Sequence, residues 1–252
     1  MLKALIFDVD GTLAETEDLH RQAFNRAFAE MGLPWTWEPS FYAELLTVMG
    51  GKERLAHYVE THHGADLPAL RPRLAEIHDR KTRIYGDLVA SGRLGLRPGV
   101  ARLVAEARAA GLRLAVASTT SRPNVEALLR INFPDGDTPF AVIACGDEAA
   151  RKKPAPDVFE LALLRLGIAA TEAIAFEDSE AGIRSALDAG LPVIATRSQY
   201  TESHRLDGAF SAVSDLGEPE APHTLLSGQP WPGAVVTLAG LEAWQNAHET
   251  AA

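Results

Sequence analysis

Residues 5–15 read LIFDVDGTLAE and place a short apolar strand directly before two aspartates, Asp8 and Asp10. Carboxylates so close together at the end of a buried strand repel each other and lose hydration. A chain gains from such an arrangement where the two acids act on a cation or a substrate. The stretch therefore predicts a functional site at the carboxyl end of the first strand.

The rest of the chain alternates between strand-like and helical patterns. Further apolar runs occur at 112–119, 140–147, 173–179 and 191–198. These runs lack strict alternation, which is typical of strands that are buried on both faces of a parallel sheet. Helical patterns at 100–111, 157–167 and 179–190 separate them. The alternation predicts an α/β fold, an open parallel sheet with helices on both faces.

Residues 15–95 interrupt this alternation with helical patterns alone. Apolar residues recur at helical spacing between Leu19 and Met31, and further helices are predicted at 40–48, 52–62 and 70–91. We therefore expect an all-helical domain over 15–95, inserted into an α/β core made of 1–14 and 96–252. The tail after residue 215 is expected to form a loop and then a final helix over 238–249.

Composition narrows the class of protein. The chain has 252 residues, 46% of them apolar, and a formal net charge of −10, which argues against nucleic-acid and anionic-membrane partners. No run approaches the roughly 18 apolar residues of a membrane span, and the N-terminus does not resemble a signal peptide. A single cysteine, Cys145, excludes an internal disulfide, so we expect a cytoplasmic protein in which Cys145 packs as a small hydrophobe.

Polar side chains follow four of the predicted strands where each one ends. They are Asp8 and Asp10, then Ser118 and Thr119, then Lys152 and Lys153, then Glu177 and Asp178. In an open parallel sheet, ligands bind outside the carboxyl ends of the strands. We therefore expect these acids, hydroxyls and lysines to share one edge of the sheet.

Phosphoryl transfer is the chemistry that fits this set of groups. Clustered carboxylates are tolerated around Mg²⁺, a hard ion that prefers oxygen ligands. Asp8 would attack phosphorus and form an aspartyl-phosphate, while Asp10 would act as general acid and then as general base. Ser118 and Lys153 would hold the phosphoryl oxygens. A calcium loop also contains DxDG, but the flanking LIF and TL do not fit that motif.

The motifs DVDGT (8–12), Ser118 after LAVA, KKPAPD (152–157) and EDS (177–179) resemble those of the haloacid dehalogenase-like phosphatase superfamily. The resemblance implies a Rossmann-like core with a helical cap and an Asp8 that is phosphorylated during turnover. It also implies an Mg²⁺ site. The residues of that site are Asp8, Asp10 through its carbonyl, Glu177 and Asp178. The DxD pair resembles phosphatases and phosphomutases, because the dehalogenases of the superfamily lack the second acid.

The cap is expected to select the substrate. Glu17 and His20 share a helix face, and the basic clusters GGKER (50–54) and IHDRKTR (77–83) would suit a second phosphate, although a solvated helix face is the alternative for most of these cations. With VASTTSRPNVEALL (116–129), these stretches resemble the CbbY-type group, which removes a phosphate from xylulose 1,5-bisphosphate, a misfire product of Rubisco. The implied substrate contacts are Glu17, His20, Gly50, Gly51, Lys52, Glu53, Arg54, His78, Lys81, Ser118, Thr119, Thr120, Asn124 and Lys153.

Two other enzymatic functions stay open at this point. A β-phosphoglucomutase-like enzyme shares the core motifs and a histidine at the position of His20, and a phosphoglycolate or hexose-phosphate phosphatase shares the core motifs. A non-catalytic binding protein is disfavoured, because both Asp8 and Lys153 are present. The resemblance further implies a monomer that acts on a small phosphorylated sugar.

Overall fold

The computed structural model describes residues 1–92, 94–134, 138–231 and 233–249. Within these residues, seven strands form one sheet in the order β3-β2-β1-β4-β5-β6-β7. The strands are β1 (Ala4–Phe7), β2 (Arg113–Ser118), β3 (Val142–Cys145), β4 (Ala173–Glu177), β5 (Val193–Thr196), β6 (Ser211–Val213) and β7 (Leu225–Gly228). Strands β1 to β6 pair in parallel, and β7 is antiparallel to β6. The predicted α/β fold with a parallel sheet is confirmed.

Helices lie between β1 and β2 and around the sheet. They are α1 (Glu17–Glu30), α2 (Pro39–Leu45), α3 (Gly51–His62), α4 (Leu67–Leu70), α5 (Leu74–Ala90), α6 (Val100–Ala109), α7 (Arg122–Asn132), α8 (Asp157–Leu166), α9 (Glu180–Asp188) and α10 (Leu238–Glu249). The helix predicted over 70–91 begins only at Leu74, because Pro72 lies in a 3₁₀ turn before it and has no N–H for a longer helix. Among the described helices, none combines the length and the apolarity needed to cross a bilayer.

The central strands are apolar on both faces because both faces of the sheet are covered. All residues of β1 and β4 are buried, and separate apolar clusters pack against the two faces. Phe7 of β1 stacks on Phe176 of β4, with ring centroids 4.5 Å apart and planes within 9° of parallel. Burial on both sides removes the polar alternation that a half-exposed strand shows.

The tail contains more structure than its sequence predicts. Helix α10 forms as expected, but β7 extends the sheet where a loop was predicted, and β6, just before that region, was not predicted. Strand β7 is exposed along its whole length, so its sequence carries no burial signal. Arg102 of α6 attaches this tail to the core, because its guanidinium donates to the carbonyls of Leu216, Gly217 and Val236.

The helical insertion has a core of its own. Its cluster is rich in aromatic residues, namely Phe24, Phe28, Trp35, Trp37, Tyr42 and Tyr58. Asn25 of α1 holds the connection to α2, since its side-chain amide donates to the carbonyl of Trp37 and accepts from the N–H of Trp37. We call the insertion formed by α1 to α5 the cap; its exact limits at 15 and 95 stay a prediction.

Arg97 joins the two connections between cap and core. Its backbone N–H donates to the carbonyl of Leu13, and its guanidinium forms an ion pair with Glu15 at 3.0 Å. The same guanidinium donates to the carbonyls of Gly11 and Thr196. The turn after Asp10 is therefore tied directly to the hinge of the cap.

The aromatic stack between β1 and β4 is expected to be a large contributor to stability. We expect Phe176→Ala to lower the free energy of unfolding by about 3–5 kcal/mol, because it removes a fully buried ring and leaves a cavity. Urea denaturation of the purified protein measures this loss. The control is Leu164→Ala, whose side chain is 77% exposed and which we expect to change stability by less than about 0.5 kcal/mol. Equal losses for both variants would contradict the role of the stack.

Candidate active site

A cleft of about 480 Å³ lies between the cap and the carboxyl ends of the strands. Its size is within the usual range for a small-molecule site. The predicted site residues that line it are Asp8, Asp10, Glu17, His20, Gly50, Gly51, Lys52, Glu53, Arg54, His78, Lys81, Thr119, Thr120, Asn124 and Asp178. Ser118, Lys153 and Glu177 are buried behind this lining. The fold thus brings the residues predicted from both domains to one place.

Lys153 is bound between two carboxylates at the base of the cleft. Its Nζ lies 2.6 Å from Asp8 Oδ1 and 2.5 Å from Glu177 Oε1, and it also donates to the carbonyl of Ala117 at 2.9 Å. An ammonium group has three N–H donors, so all of them are used. Asp8 itself is fixed by its backbone N–H, which donates to the carbonyl of Phe176.

The charges at the base of the cleft are strongly coupled. Burial raises the pKa of Asp8 well above its usual value, the charges of Glu177 and Asp10 raise it further, and the Lys153 ammonium opposes this rise. Burial alone would lower the pKa of Lys153, but the carboxylates of Asp8 and Glu177 outweigh it and raise that pKa. Burial and the same two carboxylates also raise the pKa of Asp178. One ammonium group therefore does not neutralise these acids.

The acids at the base of the cleft form a candidate cation site. Oxygen atoms of Asp8, Glu177 and Asp178 all lie within 4.8 Å of one another. Glu177 Oε2 accepts hydrogen bonds from the backbone N–H groups of Asp178 and Ser179, and Asp178 Oδ2 accepts one from Ser198 at 2.6 Å. Buried oxygen ligands with excess negative charge are the donor set that suits Mg²⁺.

Gly11 allows the turn after β1 to approach Asp178, which follows β4. Its φ of +83° is a conformation that favours glycine, and a Cβ here would lie 2.0 Å from Asp178 Oδ2. The turn that follows Asp10 is closed by the N–H of Gly11, which donates to the carbonyl of Ala14. Any larger residue at this position would displace Asp178.

The carboxylate of Asp10 is directed at the cap and lies outside the cluster of three acids. Thr16 donates to Asp10 Oδ1 at 2.5 Å, and His20 Nε2 lies 3.0 Å from the same oxygen. Lys81 Nζ lies 2.7 Å from His20 Nδ1. An ionised carboxylate only accepts hydrogen bonds, so Nε2 of His20 donates to Asp10 and Nδ1 accepts from Lys81.

Burial and the contacts among Asp10, His20 and Lys81 shift the pKa of all three groups. Burial acts to raise the pKa of Asp10, but the charge and hydrogen bond of His20, with Thr16 and Lys81, lower it to about 2. Burial and the Lys81 charge lower the pKa of His20. Burial lowers the pKa of Lys81 to about 7, although the Asp10 charge opposes this change. Asp10 is therefore ionised at neutral pH in the free protein.

A second set of hydrogen bonds, centred on Tyr42 in the cap, holds the carboxylate of Glu17 and the guanidinium of Arg54 over the cleft. The Tyr42 hydroxyl donates to Glu17 Oε2 at 2.9 Å and accepts from Arg54 Nη1 at 3.0 Å. Arg54 Nε also donates to the carbonyl of Leu45. All of Tyr42 is buried, so its hydroxyl fixes the relative positions of Glu17 and Arg54.

The second strand end presents polar groups around the start of α7. Ser118 Oγ accepts a hydrogen bond from the N–H of Thr120, and the Asn124 amide donates to Thr120 Oγ1. Within the described part of the chain, Asn124 Oδ1 and Ser121 Oγ are buried without a hydrogen-bond partner. Buried polar groups of this kind are available for a ligand.

Several residues of the cleft were not among those predicted. Tyr42, Asp147, Ser198, Tyr200 and His204 either line the cleft or bind a residue that does. Ser198 could have been found, because it lies at the end of a fifth predicted strand and the same strand-end rule applies to it. Tyr42 gives no such signal, since a buried tyrosine in a helix is usually part of a core.

Known proteins resemble this chain along nearly its whole length. The haloacid dehalogenase-like hydrolase family model matches residues 2–190. Protein CbbY of Rhodobacter capsulatus is 52% identical over 217 residues, which cover 85% of this chain and 94% of that protein. Protein CbbY of Cupriavidus necator is 44% identical over 251 residues, 97% of each chain.

A solved structure is also similar. It is the crystal structure of a CbbY mutant from Rhodobacter sphaeroides in complex with xylulose-(1,5)bisphosphate. It has a TM-score of 0.80 and 44% identity, and the match covers 96% of this chain and 99% of that one. The chain therefore belongs to the haloacid dehalogenase-like hydrolases and, within them, to the CbbY-type phosphatases. The enzyme class predicted from the motifs is confirmed.

The buried Lys81 predicts a specific dependence of stability on pH. Between the folded pKa of about 7 and the higher pKa of an unfolded lysine, the unfolded chain binds one more proton than the folded chain. Lys81 therefore destabilises the fold most below pH 7, and this cost falls as pH rises. We expect the stability difference between Lys81→Met and the wild type to shift in favour of the wild type by on the order of 1 kcal/mol per pH unit between pH 7 and 10.

Urea denaturation at several pH values measures this difference. The control is Lys52→Met, because the Lys52 side chain is 55% exposed; we expect it to change stability by less than about 0.5 kcal/mol at each pH. A pH-independent difference for Lys81→Met would show that Lys81 is charged in the folded protein throughout this range.

Proposed function

We propose that this protein is an Mg²⁺-dependent phosphatase that forms an aspartyl-phosphate on Asp8 and acts on xylulose 1,5-bisphosphate. The observation that carries the proposal is the placement of Asp8, which is bound by Lys153 and lies at the base of the cleft opposite the cap. A carboxylate at this position can reach a phosphoryl group that enters the cleft. The high identity to CbbY proteins supports the same function.

The proposed metal site consists of Asp8, Asp178 and the backbone carbonyl of Asp10, with Glu177 beside them. Glu177 has hydrogen bonds to both of its carboxylate oxygens, so its main role is to hold Lys153 and the start of the next loop. Mg²⁺ bound here would neutralise charge on the phosphoryl group and on Asp8. The raised pKa values of Asp8 and Asp178 are consistent with a site that gains from a cation.

The residues of the chain divide the reaction between them. An Asp8 oxygen forms a bond to phosphorus while the bond from phosphorus to the sugar oxygen breaks, and Asp10 gives a proton to that leaving oxygen. Asp10 then takes a proton from the water that attacks the aspartyl-phosphate, which releases phosphate. Ser118 would donate its hydroxyl proton to a phosphoryl oxygen, and the positive charge of Lys153 beside Asp8 would stabilise negative charge on the phosphoryl group during both steps.

Because the pKa of Asp10 is low in the free protein, Asp10 must gain a proton before it can act as a general acid. At a pKa of about 2, Asp10 is ready to act as a base but holds no proton to donate. A bound phosphate adds negative charge beside Asp10 and therefore raises its pKa. We propose that Asp10 gains its proton on substrate binding, with His20 and Lys81 as the neighbouring proton donors.

The cap is proposed to bind the phosphate that is not transferred. Arg54 is the stronger candidate, because a guanidinium stays charged and Arg54 is held by Tyr42 and the carbonyl of Leu45. Lys81 is bound to His20, and burial lowers its pKa, so its charge depends on an anion nearby. The CbbY variant crystallised with xylulose-(1,5)bisphosphate supports a sugar bisphosphate as substrate.

A phosphatase and a phosphomutase differ in their products, because only the phosphatase releases inorganic phosphate. A β-phosphoglucomutase-like enzyme would use the same Asp8, Asp10 and His20 but would convert β-glucose 1-phosphate without releasing phosphate. The decisive experiment supplies the purified protein and Mg²⁺ with xylulose 1,5-bisphosphate, β-glucose 1-phosphate, phosphoglycolate and hexose phosphates in parallel. We expect the highest kcat/KM for phosphate release from xylulose 1,5-bisphosphate. Isomerisation of β-glucose 1-phosphate without phosphate release would refute the proposal.

The remaining expectations belong to the same proposal. The enzyme would act as a cytoplasmic monomer on a small molecule, with neither nucleic acid nor a membrane as partner. Cys145 is buried, and burial raises the pKa of its thiol to about 12, which supports a packing role rather than a reactive one.

The covalent step gives a direct test of Asp8. We expect Asp8→Asn to lose essentially all phosphatase activity, at least about a thousandfold, because an amide cannot form the acyl-phosphate. Acid quenching with a radiolabelled substrate should label the wild-type protein but not this variant. The control is Asp207→Asn, an exposed aspartate paired with Arg205, which should label and turn over like the wild type. Normal labelling of Asp8→Asn would assign the nucleophile to another residue.

The assignment of the second phosphate is tested by comparing two substrates. We expect Arg54→Ala to raise KM for xylulose 1,5-bisphosphate by at least about tenfold, because it removes a charge-assisted contact. KM for p-nitrophenyl phosphate, which lacks a second phosphate, should change by less than about threefold. Arg71→Ala is the control, because Arg71 is an exposed cap arginine. Equal effects of Arg54→Ala on both substrates would contradict this assignment.

A further inference from the structure

The segment after β5, residues 198–201, is hydrogen-bonded to Asp178, one of the three acids of the candidate cation site. Ser198 Oγ donates to Asp178 Oδ2 at 2.6 Å and lies 3.0 Å from Thr201 Oγ1. The N–H of Ser198 also donates to Thr201 Oγ1 at 2.9 Å. These bonds hold the segment in a tight turn with both hydroxyl residues buried. Its position is therefore set by the same groups that hold Asp178.

The middle of this segment contacts the hinge and the cap. The N–H of Gln199 donates to Glu15 Oε2 at 3.3 Å, and the Tyr200 hydroxyl donates to Asp18 Oδ1 at 3.2 Å. The ring of Tyr200 packs edge-on against Tyr42, with centroids 5.8 Å apart and planes at 89°. Edge-to-face contact at this distance is a favourable geometry for two aromatic rings.

Tyr200 follows β5 of the core in the sequence, but its ring packs against the aromatic cluster of the cap. Among the described residues, its apolar contacts are with the aromatic cluster of the cap, and it is not part of the two clusters that cover the sheet. Loss of this ring would therefore leave the packing of the sheet intact. What it would change is the contact between Tyr42 and the core.

Tyr42 transmits this contact to the cleft. Its hydroxyl uses its one proton on Glu17 and accepts from Arg54, so both partners are placed by the same oxygen atom. Glu17 and Arg54 both line the cleft. A ring that fixes Tyr42 against the core therefore also fixes the distance from Glu17 and Arg54 to Asp8.

We propose that Tyr200 is a positioning residue that sets the cap's substrate-binding groups, through Tyr42, at the correct distance from the nucleophile. This role rests on the proposed function, because it matters for a substrate that spans cap and core. A substrate with one phosphate and no contact to the cap depends less on it. Tyr200 thereby contributes to selection of the bisphosphate without touching the reacting atoms.

The test compares two variants of Tyr200 on two substrates. We expect Tyr200→Ala to raise KM for xylulose 1,5-bisphosphate about tenfold, since the aromatic contact that orders the cap groups is lost. Because Tyr200 lines the cleft, KM for p-nitrophenyl phosphate should also rise, but by a factor at least about threefold smaller than KM for the bisphosphate. Tyr200→Phe keeps the ring and should return KM for the bisphosphate to within about threefold of the wild type. The matched control is Phe133→Ala, a half-buried ring that packs on Phe140, outside the cleft.

A second measurement does not depend on activity. Hydrogen exchange of the peptides that contain Tyr42 and Arg54 should be faster in Tyr200→Ala than in the wild type and unchanged in Phe133→Ala. Unchanged exchange in Tyr200→Ala, or equal loss on both substrates, would overturn the positioning role. If the wild type released no phosphate from xylulose 1,5-bisphosphate, the proposed function would fail, and the exchange rates would still decide the role of Tyr200. If Tyr200→Ala does not fold, Tyr200→Leu takes its place in both measurements.

Discussion

The ammonium group of Lys153, shared between Asp8 and Glu177, is the interaction on which the site depends. Buried carboxylates at the ends of neighbouring strands repel one another, and three of them meet here within 4.8 Å. Lys153 offsets part of that repulsion with hydrogen bonds of 2.6 and 2.5 Å. The remaining negative charge makes the cluster a candidate site for a divalent cation.

The cap depends on this core through a small number of directed contacts. Asp10 is part of the core, yet its carboxylate is bound by Thr16 and His20 of the cap connection and first cap helix. Arg97 ties the turn after Asp10 to the hinge, and Tyr200 reaches from the core to Tyr42. The cap therefore positions the carboxylate of Asp10, while Asp8 is held by Lys153 and the carbonyl of Phe176 in the core.

Most of the fold and the base of the site could be predicted from the sequence. The strands β1 and β4 are buried on both faces, so they appear as uninterrupted apolar runs, and the residues after them must lie at one edge. The exceptions have physical reasons. Strand β7 is exposed and depends on pairing with β6, and the break before Leu74 follows from prolines within a helical pattern.

The sequence was sufficient to determine the enzyme class of this protein, because its acids, hydroxyls and lysine follow successive predicted strands, and the carboxyl ends of parallel strands share one edge of a sheet. Tertiary structure decided how those groups are held. It directed the carboxylate of Asp10 toward His20 rather than toward Asp178, and it bound Arg54 to Tyr42. The physical reason is that burial and hydrogen-bond direction, which set the pKa values and the reach of each side chain, arise only when the cap packs on the core.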